Sequence, residues 1–319
     1  MNDCKKIKVV AVVGATASGK TALGAELALR FNGEVISADS MQIYKGMDII
    51  TAMPSPEEMR TVPHHLIGFL EPAESFSVAR YTQLANAAAD DIVSRGALPV
   101  VVGGPGLYID SFLGNVRLMG GGADNDVRQK LGQRLENEGA RALLEELKEV
   151  DEPAARALHE NDSRRILRAL ELYYTTGSTK TQQNALSRTE PSRFDVLYIC
   201  PDFADREVLY DRINRRVDKM LEDGLVAQAR KLRELTGGTA CAAIGCKELY
   251  PYFDTEKTLE ECVEKLKRST RQYAKRQMTW FRRNGELHRL YADRLSPCEL
   301  IEEASRLVAD FLKSDENDI

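Results

Sequence analysis

The chain has 319 residues, 43% of them hydrophobic and 29% charged, so it can bury a large core and is not an intrinsically disordered polymer. A mean hydropathy of -0.36, with no apolar run near the roughly 20 residues of a membrane span, argues against a place in the membrane. The net charge of -5 conceals an asymmetry: residues 265–283 hold eight Lys and Arg and no Asp or Glu, a basic segment on an acidic body that suits a polyanionic partner.

Residues 1–8 are polar and lead straight into a strand, so no secretory signal is expected. Ile7–Val13 is a β-branched run that stops at Gly14, as a buried parallel strand does. Residues 21–31 place Leu23, Leu27 and Phe31 at helical spacing, and residues 34–38 read as a second strand ending in Asp39-Ser40. Val78–Ser94 is an Ala-rich helix with Leu84, Ala88 and Ile92 on one stripe, and residues 98–102 form a third strand closed by Gly103-Gly104. Strands alternating with helices predict an α/β fold, a parallel sheet with helices on both faces.

Residues 118–126 are rich in glycine and polar groups and suit a hinge. From 127 to 176 the pattern is helical, with Leu131, Leu135, Leu143, Leu144, Leu147, Leu158, Ile166, Leu167 and Leu170 as core candidates and Asp162 as an N-cap for 163–175. Residues 175–193 are polar, 194–200 return as a strand, helices are expected over 206–312, and 314–319 form an acidic tail. Because a strand returns late, the economical division is one α/β core, 1–117 with 194–319, interrupted by an all-helical insertion over 118–193. Six scattered cysteines with no CxxC pair fit a reducing cytoplasm.

The most informative motif is Gly14-Ala15-Thr16-Ala17-Ser18-Gly19-Lys20-Thr21, a complete GxxxxGK[ST] between a strand and a helix. Its glycines let the backbone curl around phosphate with N–H groups and the helix N-terminus facing the anion. Lys20 supplies a cation, and the Thr21 hydroxyl can hold Mg²⁺. A nucleotide hydrolase of this class usually ends a later strand in an acid. Here that strand ends in Gly103-Gly104-Pro105, and the acid is Asp39, at the carboxyl end of the second strand, where a general base or metal ligand works. A turn cap is the plainer reading of Asp39.

In the basic segment Arg268, Arg271, Lys275 and Arg282 recur near helical spacing, with Tyr273 and Trp280 interleaved. That pattern suits a surface tracking an RNA backbone, with aromatic faces able to stack bases; a solvated helix with Trp280 and Phe281 in the core is the bland alternative. Arg164, Arg165 and Arg168 form a second positive face, and Arg212 and Arg216, four apart, can both point at phosphate. His64, His65, His159 and His288 offer no metal-binding spacing and read as structural.

Taken together, GATASGKT (14–21), ISADSMQIYKGMDI (36–49), PHHLI (63–67), VVGGPGLY (101–108), RRILRALE (164–171) and STRQYAKRQMTWFR (269–282) make the chain resemble, over most of its length, the bacterial tRNA isopentenyltransferase family. The resemblance implies a P-loop NTPase-like core. It also implies transfer of a dimethylallyl group from dimethylallyl diphosphate to N6 of adenosine 37 in tRNAs reading codons that begin with U, with release of diphosphate. The loop would then grip a diphosphate leaving group, with Lys20, Arg216 and Mg²⁺ on Thr21 neutralising charge and Asp39 acting as general base. By the same resemblance Asp39, Ser40, Met41 and Gln42 would meet the adenosine and its neighbours. Pro105, Arg128, Arg164, Arg165, Ile166, Leu167, Arg168, Thr270, Arg271, Gln272, Tyr273, Ala274, Lys275, Arg276 and Gln277 would meet the tRNA anticodon stem-loop. A cytoplasmic monomer is the implied setting.

The chain departs from that family at Pro105, where a threonine is usual, at Gly68, where an acid is frequent, and at Cys246 and Lys247, which replace a frequent Tyr and Arg. Two rivals remain on sequence: a P-loop small-molecule or nucleoside kinase using ATP, which leaves the basic segment unexplained, and a non-catalytic, nucleotide-gated RNA-binding module.

Overall fold

A computed structural model describes residues 6–60, 62–114, 125–186, 191–235 and 239–314. Residues 118–124 of the expected hinge, 315–319 of the acidic tail, and Cys4 lie outside the described residues. The chain divides into two compact units, Met1–Leu113 with Arg193–Ile319, and Gly114–Ser192.

In the larger unit β1 (Ile7–Val13) leads to α1 (Lys20–Arg30), β2 (Gly33–Ala38), the one-turn helices α2 (Asp48–Thr51) and α3 (Pro56–Met59), and β3 (His64–His65). Then come α4 (Val78–Ser94), β4 (Leu98–Gly103) and α5 (Gly106–Leu113). The smaller unit holds α6 (Asn125–Val150), α7 (Glu152–Arg156), α8 (Ser163–Thr176) and α9 (Lys180–Leu186). The chain returns with β5 (Phe194–Asp202), α10 (Arg206–Glu222), α11 (Leu225–Arg233), a 3-10 turn (Thr239–Ala242), α12 (Tyr250–Phe253), α13 (Leu259–Phe281), β6 (Leu287–Tyr291) and α14 (Pro297–Lys313).

The six strands form one parallel sheet in the order β3-β2-β4-β1-β5-β6. The expected α/β fold is therefore what forms. Side chains alternate faces along β1: Val9, Ala11 and Val13 pack with Tyr81, Ala85, Ala89, Ile92 and Phe112 of α4 and α5. Val10 and Val12 pack on the other face with Leu23 and Leu27 of α1 and with Leu300, Ala304 and Val308 of α14. Chain direction across the sheet reverses beside β1, because β2 and β4 lie on one side of it and β5 on the other. Open α/β sheets bind ligands at the carboxyl ends of the strands flanking such a reversal.

Two strands were missed by sequence reasoning. The pair His64–His65 is too short to show a period, and β6 was covered by the expectation of helices over 206–312. Its sequence LHRLY is an edge strand in which the polar His288 and Arg289 are adjacent and break any alternation, and only Leu290 is buried. The helical pattern over 127–176 is also interrupted, by a break at Gly139 (φ +81°) inside α6 and by the turn before α8. Asp162 does precede α8, but its side chain makes no cap bond to that helix and instead accepts the His159 backbone N–H. Of the core candidates in this unit, Leu131, Leu143, Leu147, Ile166 and Leu170 are buried, and Leu135, Leu144, Leu158 and Leu167 are partly so. Helix α9 lies within the polar stretch 175–193, for which the sequence gives no helical period. Among the described residues no helix is long and apolar enough to cross a membrane.

α1 approaches the sheet closely because position 24 is glycine: a Cβ there would stand 2.3 Å from Val102 Cγ2 of β4. Gly24→Ala is expected to lose about 1–3 kcal/mol by overpacking, offset only in part by the roughly 1 kcal/mol that alanine gains in a helix. Denaturant unfolding measures the difference, and an unchanged or higher midpoint would contradict this packing.

Candidate active site

The turn between β1 and α1 holds an unusual backbone. Gly14 (φ +149°) and Gly19 (φ +93°) take angles open to glycine, and a Cβ on Gly14 would press on Cys200 Sγ and Pro201 O at 3.3 Å. Ala17 sits at φ +63°, a region that a residue with a Cβ seldom occupies, so the surroundings must hold it there. The loop carbonyls are held by cations: Lys20 Nζ donates to Ala15 O at 3.1 Å and Arg212 Nε to Ala17 O at 3.0 Å. No side chain caps the N-terminus of α1, and the Ser18 hydroxyl is buried without a partner among the described residues. Uncapped N–H groups and an orphaned hydroxyl in one curled loop make a receptor for anionic oxygen.

A cavity with two lobes lies above this loop. The polar lobe is walled by Lys20, Thr21, Ser37, Gln42, His64 and Gln277. The other lobe is mostly apolar, formed by Ile50, Ile213, Val217, Met220, Ala243 and Leu266. Thr16, Asp39, Thr51, Arg216 and Tyr273 border both lobes. Asp39 does serve as a turn cap: its Oδ1 accepts the Met41 N–H at 2.8 Å and the Gln42 N–H at 3.2 Å. Oδ2 has no protein partner among the described residues, so capping and chemistry are compatible in one carboxylate.

Two cations face Asp39. Arg216 donates to Thr16 Oγ1 at 3.2 Å and to Thr51 O at 3.4 Å. Removal from water lowers the Arg216 pKa, and Asp39 opposes that shift. Lys20 is lowered to about 8, chiefly by removal from water and then by the nearby positive Arg216, while Asp39 and Cys200 act in the opposite sense. Arg212 also reaches the loop, from its exposed outer side. Both arginines singled out in α10 therefore lie at the loop, with Arg216 inside the cavity.

α13 divides its residues by face. Arg268, Gln272, Lys275 and Arg276 are exposed on one side, and Arg282 and Arg283 are exposed just past its end. Arg271 is half-buried and donates to Asn214 Oδ1 at 2.6 Å, and Thr270 and Tyr273 line the cavity. Ala274 and Gln277, expected to meet RNA, are buried; Gln277 accepts the Thr16 N–H at 2.9 Å. Trp280 also takes the bland alternative, its indole donating to Asp110 Oδ2 at 2.9 Å while its ring covers Gly106. In the helical unit Arg164, Arg165 and Arg168 are exposed, Leu167 is partly buried, and Ile166 is fully buried and unavailable to a partner. The reason is one in every case: a contiguous run was read as one surface, whereas a helix turns successive residues through 100°. Arg128 and Arg168 both pair with Glu171, each at 3.0 Å.

Ser40, Met41 and Gln42 line the cavity as a group. Pro105 does not; its carbonyl accepts the Tyr108 N–H at 3.0 Å at the start of α5. His65 pairs with Glu34 at 2.7 Å and His64 Nδ1 lies 2.8 Å from Val62 O, so both have structural partners, although His64 also borders the polar lobe. Among the described residues no group of three His, Cys, Asp or Glu is placed to hold a metal. Sequence reasoning missed the apolar lobe, though Ile213, Val217 and Met220 recur at i, i+4 and i+7 beside the two arginines, which was a usable signal.

Comparison with known proteins gives a consistent result. The IPP transferase family model matches residues 42–284 and the isopentenyl transferase model residues 7–67. A tRNA dimethylallyltransferase of Halalkalibacterium halodurans is 48% identical over 88% of this chain and 90% of its own length. One from Geobacillus thermodenitrificans is 44% identical over 97% and 99%. The crystal structure of the full-length tRNA isopentenylpyrophosphate transferase of Bacillus halodurans superimposes with a TM-score of 0.73 at 43% identity, covering 98% of this chain and 99% of that one. A eukaryotic dimethylallyltransferase acting on tRNA gives 0.82 at 31% identity, covering 96% and 80%.

The Lys20 shift has a measurable consequence. With its pKa lowered to about 8, Lys20 loses its charge as pH rises through that value, so affinity for inorganic diphosphate should fall above it relative to a variant whose charge persists. Lys20→Arg, whose charge does not titrate there, should lack that fall. Calorimetric titration of both proteins from pH 7 to about 9.5 reads this, and identical profiles would refute it.

Proposed function

Because the chain belongs to the IPP transferase family, it is a tRNA dimethylallyltransferase, and we propose that its two-lobed cavity joins dimethylallyl diphosphate to N6 of adenosine 37 in the anticodon stem-loop of tRNAs reading U-initial codons. The observation that carries this reading is the meeting of three groups on one rim: the phosphate loop, Arg216, and a carboxylate with a spare oxygen.

The loop from Gly14 to Thr21 and Lys20 receive the diphosphate in the polar lobe, and the adenine enters through the apolar lobe between Ile213, Val217, Leu266 and Tyr273. N6 attacks C1 of the allyl group, the C1–O bond breaks with its electron pair leaving on the diphosphate, and Asp39 Oδ2 takes the N6 proton. An exocyclic amine is a weak nucleophile, so a base within hydrogen-bond reach is a chemical requirement. Lys20 and Arg216 stabilise the charge that develops on the departing oxygen. Unstacking the base costs a few kcal/mol, and burial of its ring in the apolar lobe helps offset it.

The donor set also fits Mg²⁺. The Thr21 hydroxyl borders the polar lobe beside Lys20, and an ion held by few protein oxygens completes its shell with phosphate oxygens and water. Bound there, Mg²⁺ would neutralise diphosphate charge. The exposed cations of α13, with Arg128, Arg164, Arg165 and Arg168 of the helical unit, supply phosphate contacts to the RNA. The five described cysteines are free, which fits a reducing cytoplasm.

The kinase reading is not favoured by the family match, and it leaves the exposed basic face of α13 unexplained. Incubation with unmodified tRNA, Mg²⁺ and either dimethylallyl diphosphate or ATP separates the two: allyl incorporation into tRNA is expected, and phosphate transfer to a small acceptor would overturn the reading. Asp39→Ala should lower the single-turnover rate by about 10²–10⁴-fold while tRNA affinity stays close to normal. A near-normal rate would remove Asp39 from the role of base.

A further inference from the structure

Gln277 sits on the helix that presents the basic surface, yet its side chain is 5% exposed and turned towards the edge of the sheet. Its Oε1 accepts the Thr16 backbone N–H at 2.9 Å. The other end of the carboxamide is equally confined, since a Cβ on Gly104 would stand 2.1 Å from Nε2. Thr16 in turn uses its hydroxyl to receive Arg216. A continuous set of contacts therefore runs from α13 through one carboxamide to the loop backbone, and from the loop side chain to the cation that faces Asp39.

The loop needs such an external hold. Ala17, next to Thr16, lies at φ +63°, so local preference does not keep this backbone in shape. The Thr16 N–H is directed to Gln277 and the Ser18 N–H to Ala15 O at 3.3 Å, which leaves the uncapped N-terminus of α1 for the anion. Gln277 fixes which group of Thr16 faces the cavity, namely the hydroxyl that meets Arg216.

We propose that Gln277 is a positioning residue of the phosphate loop and not a contact for RNA: it holds Thr16 so that its hydroxyl and Arg216 stay aimed at the leaving diphosphate. This rests on the tRNA-prenylation reading for the identity of the substrates; the loop geometry does not depend on it.

Two variants test it. Gln277→Met keeps the length of the side chain and removes both polar atoms. Gln277→Glu keeps the acceptor for Thr16 but sets a negative charge against the loop. For Gln277→Met, kcat for allyl transfer should fall about tenfold or more while the RNA KM stays within about twofold. For Gln277→Glu, affinity for inorganic diphosphate, titrated without RNA at low salt, should weaken about tenfold. Its affinity for an unmodified anticodon stem-loop should change less than about twofold.

A raised RNA KM with unchanged kcat in the methionine variant would overturn the proposal and return Gln277 to the RNA surface. So would a glutamate variant that binds diphosphate as the wild type does, and this titration decides even if the methionine variant fails to fold. A wild-type protein that binds diphosphate but no RNA would instead sink the tRNA reading, leaving the diphosphate arm to judge Gln277.

Discussion

The site depends on one constraint, a tight backbone turn after β1 whose carbonyls are bound from outside. Lys20 and Arg212 hold the Ala15 and Ala17 carbonyls, Gln277 takes the Thr16 N–H, and Gly14 supplies the positive φ and lets the turn pass close to Pro201. With those groups occupied, the uncapped start of α1 and the orphaned Ser18 hydroxyl are left to a ligand. Everything else about the cavity follows from where that turn lies, at the carboxyl edge of the sheet beside the reversal of strand order.

Electrostatics then decide what can bind. Removal from water makes both the Lys20 and the Arg216 charge harder to keep, the nearby Arg216 adds to the effect on Lys20, and Asp39 offsets this only in part. An excess of buried positive charge is destabilising without an anion and favourable with one. A diphosphate leaving group meets that demand while its charge grows during reaction, so the groups that bind the substrate stabilise the transition state more strongly. The carboxylate borders both lobes, and its spare oxygen can take a proton from an amine that enters the apolar lobe.

Much of this was legible in the residues. The β1 strand, the loop and α1 announced themselves because hydrophobic period, glycines and Lys20-Thr21 all agree. Asp39 could be located because it ends a strand, and its dual use as turn cap and cavity wall shows why the plainer reading of such a residue need not exclude the chemical one. What stayed hidden was rotational phase. A run such as Thr270–Gln277 gives no sign of which side faces the core until its neighbours are known, so the family resemblance puts Ala274, Gln277 and Ile166 at the surface, whereas all three are buried. The edge strands β3 and β6 escaped because two residues carry no period and because LHRLY looks like any half-polar stretch.

A crystal structure with a non-hydrolysable dimethylallyl diphosphate analogue and an unmodified anticodon stem-loop tests this chemistry most directly. The diphosphate should lie in the turn between Gly14 and Thr21, with N6 of the extruded adenine within hydrogen-bond distance of Asp39 and in line with the allylic carbon. A diphosphate seated elsewhere, or an adenine amine facing away from that carboxylate, would contradict it.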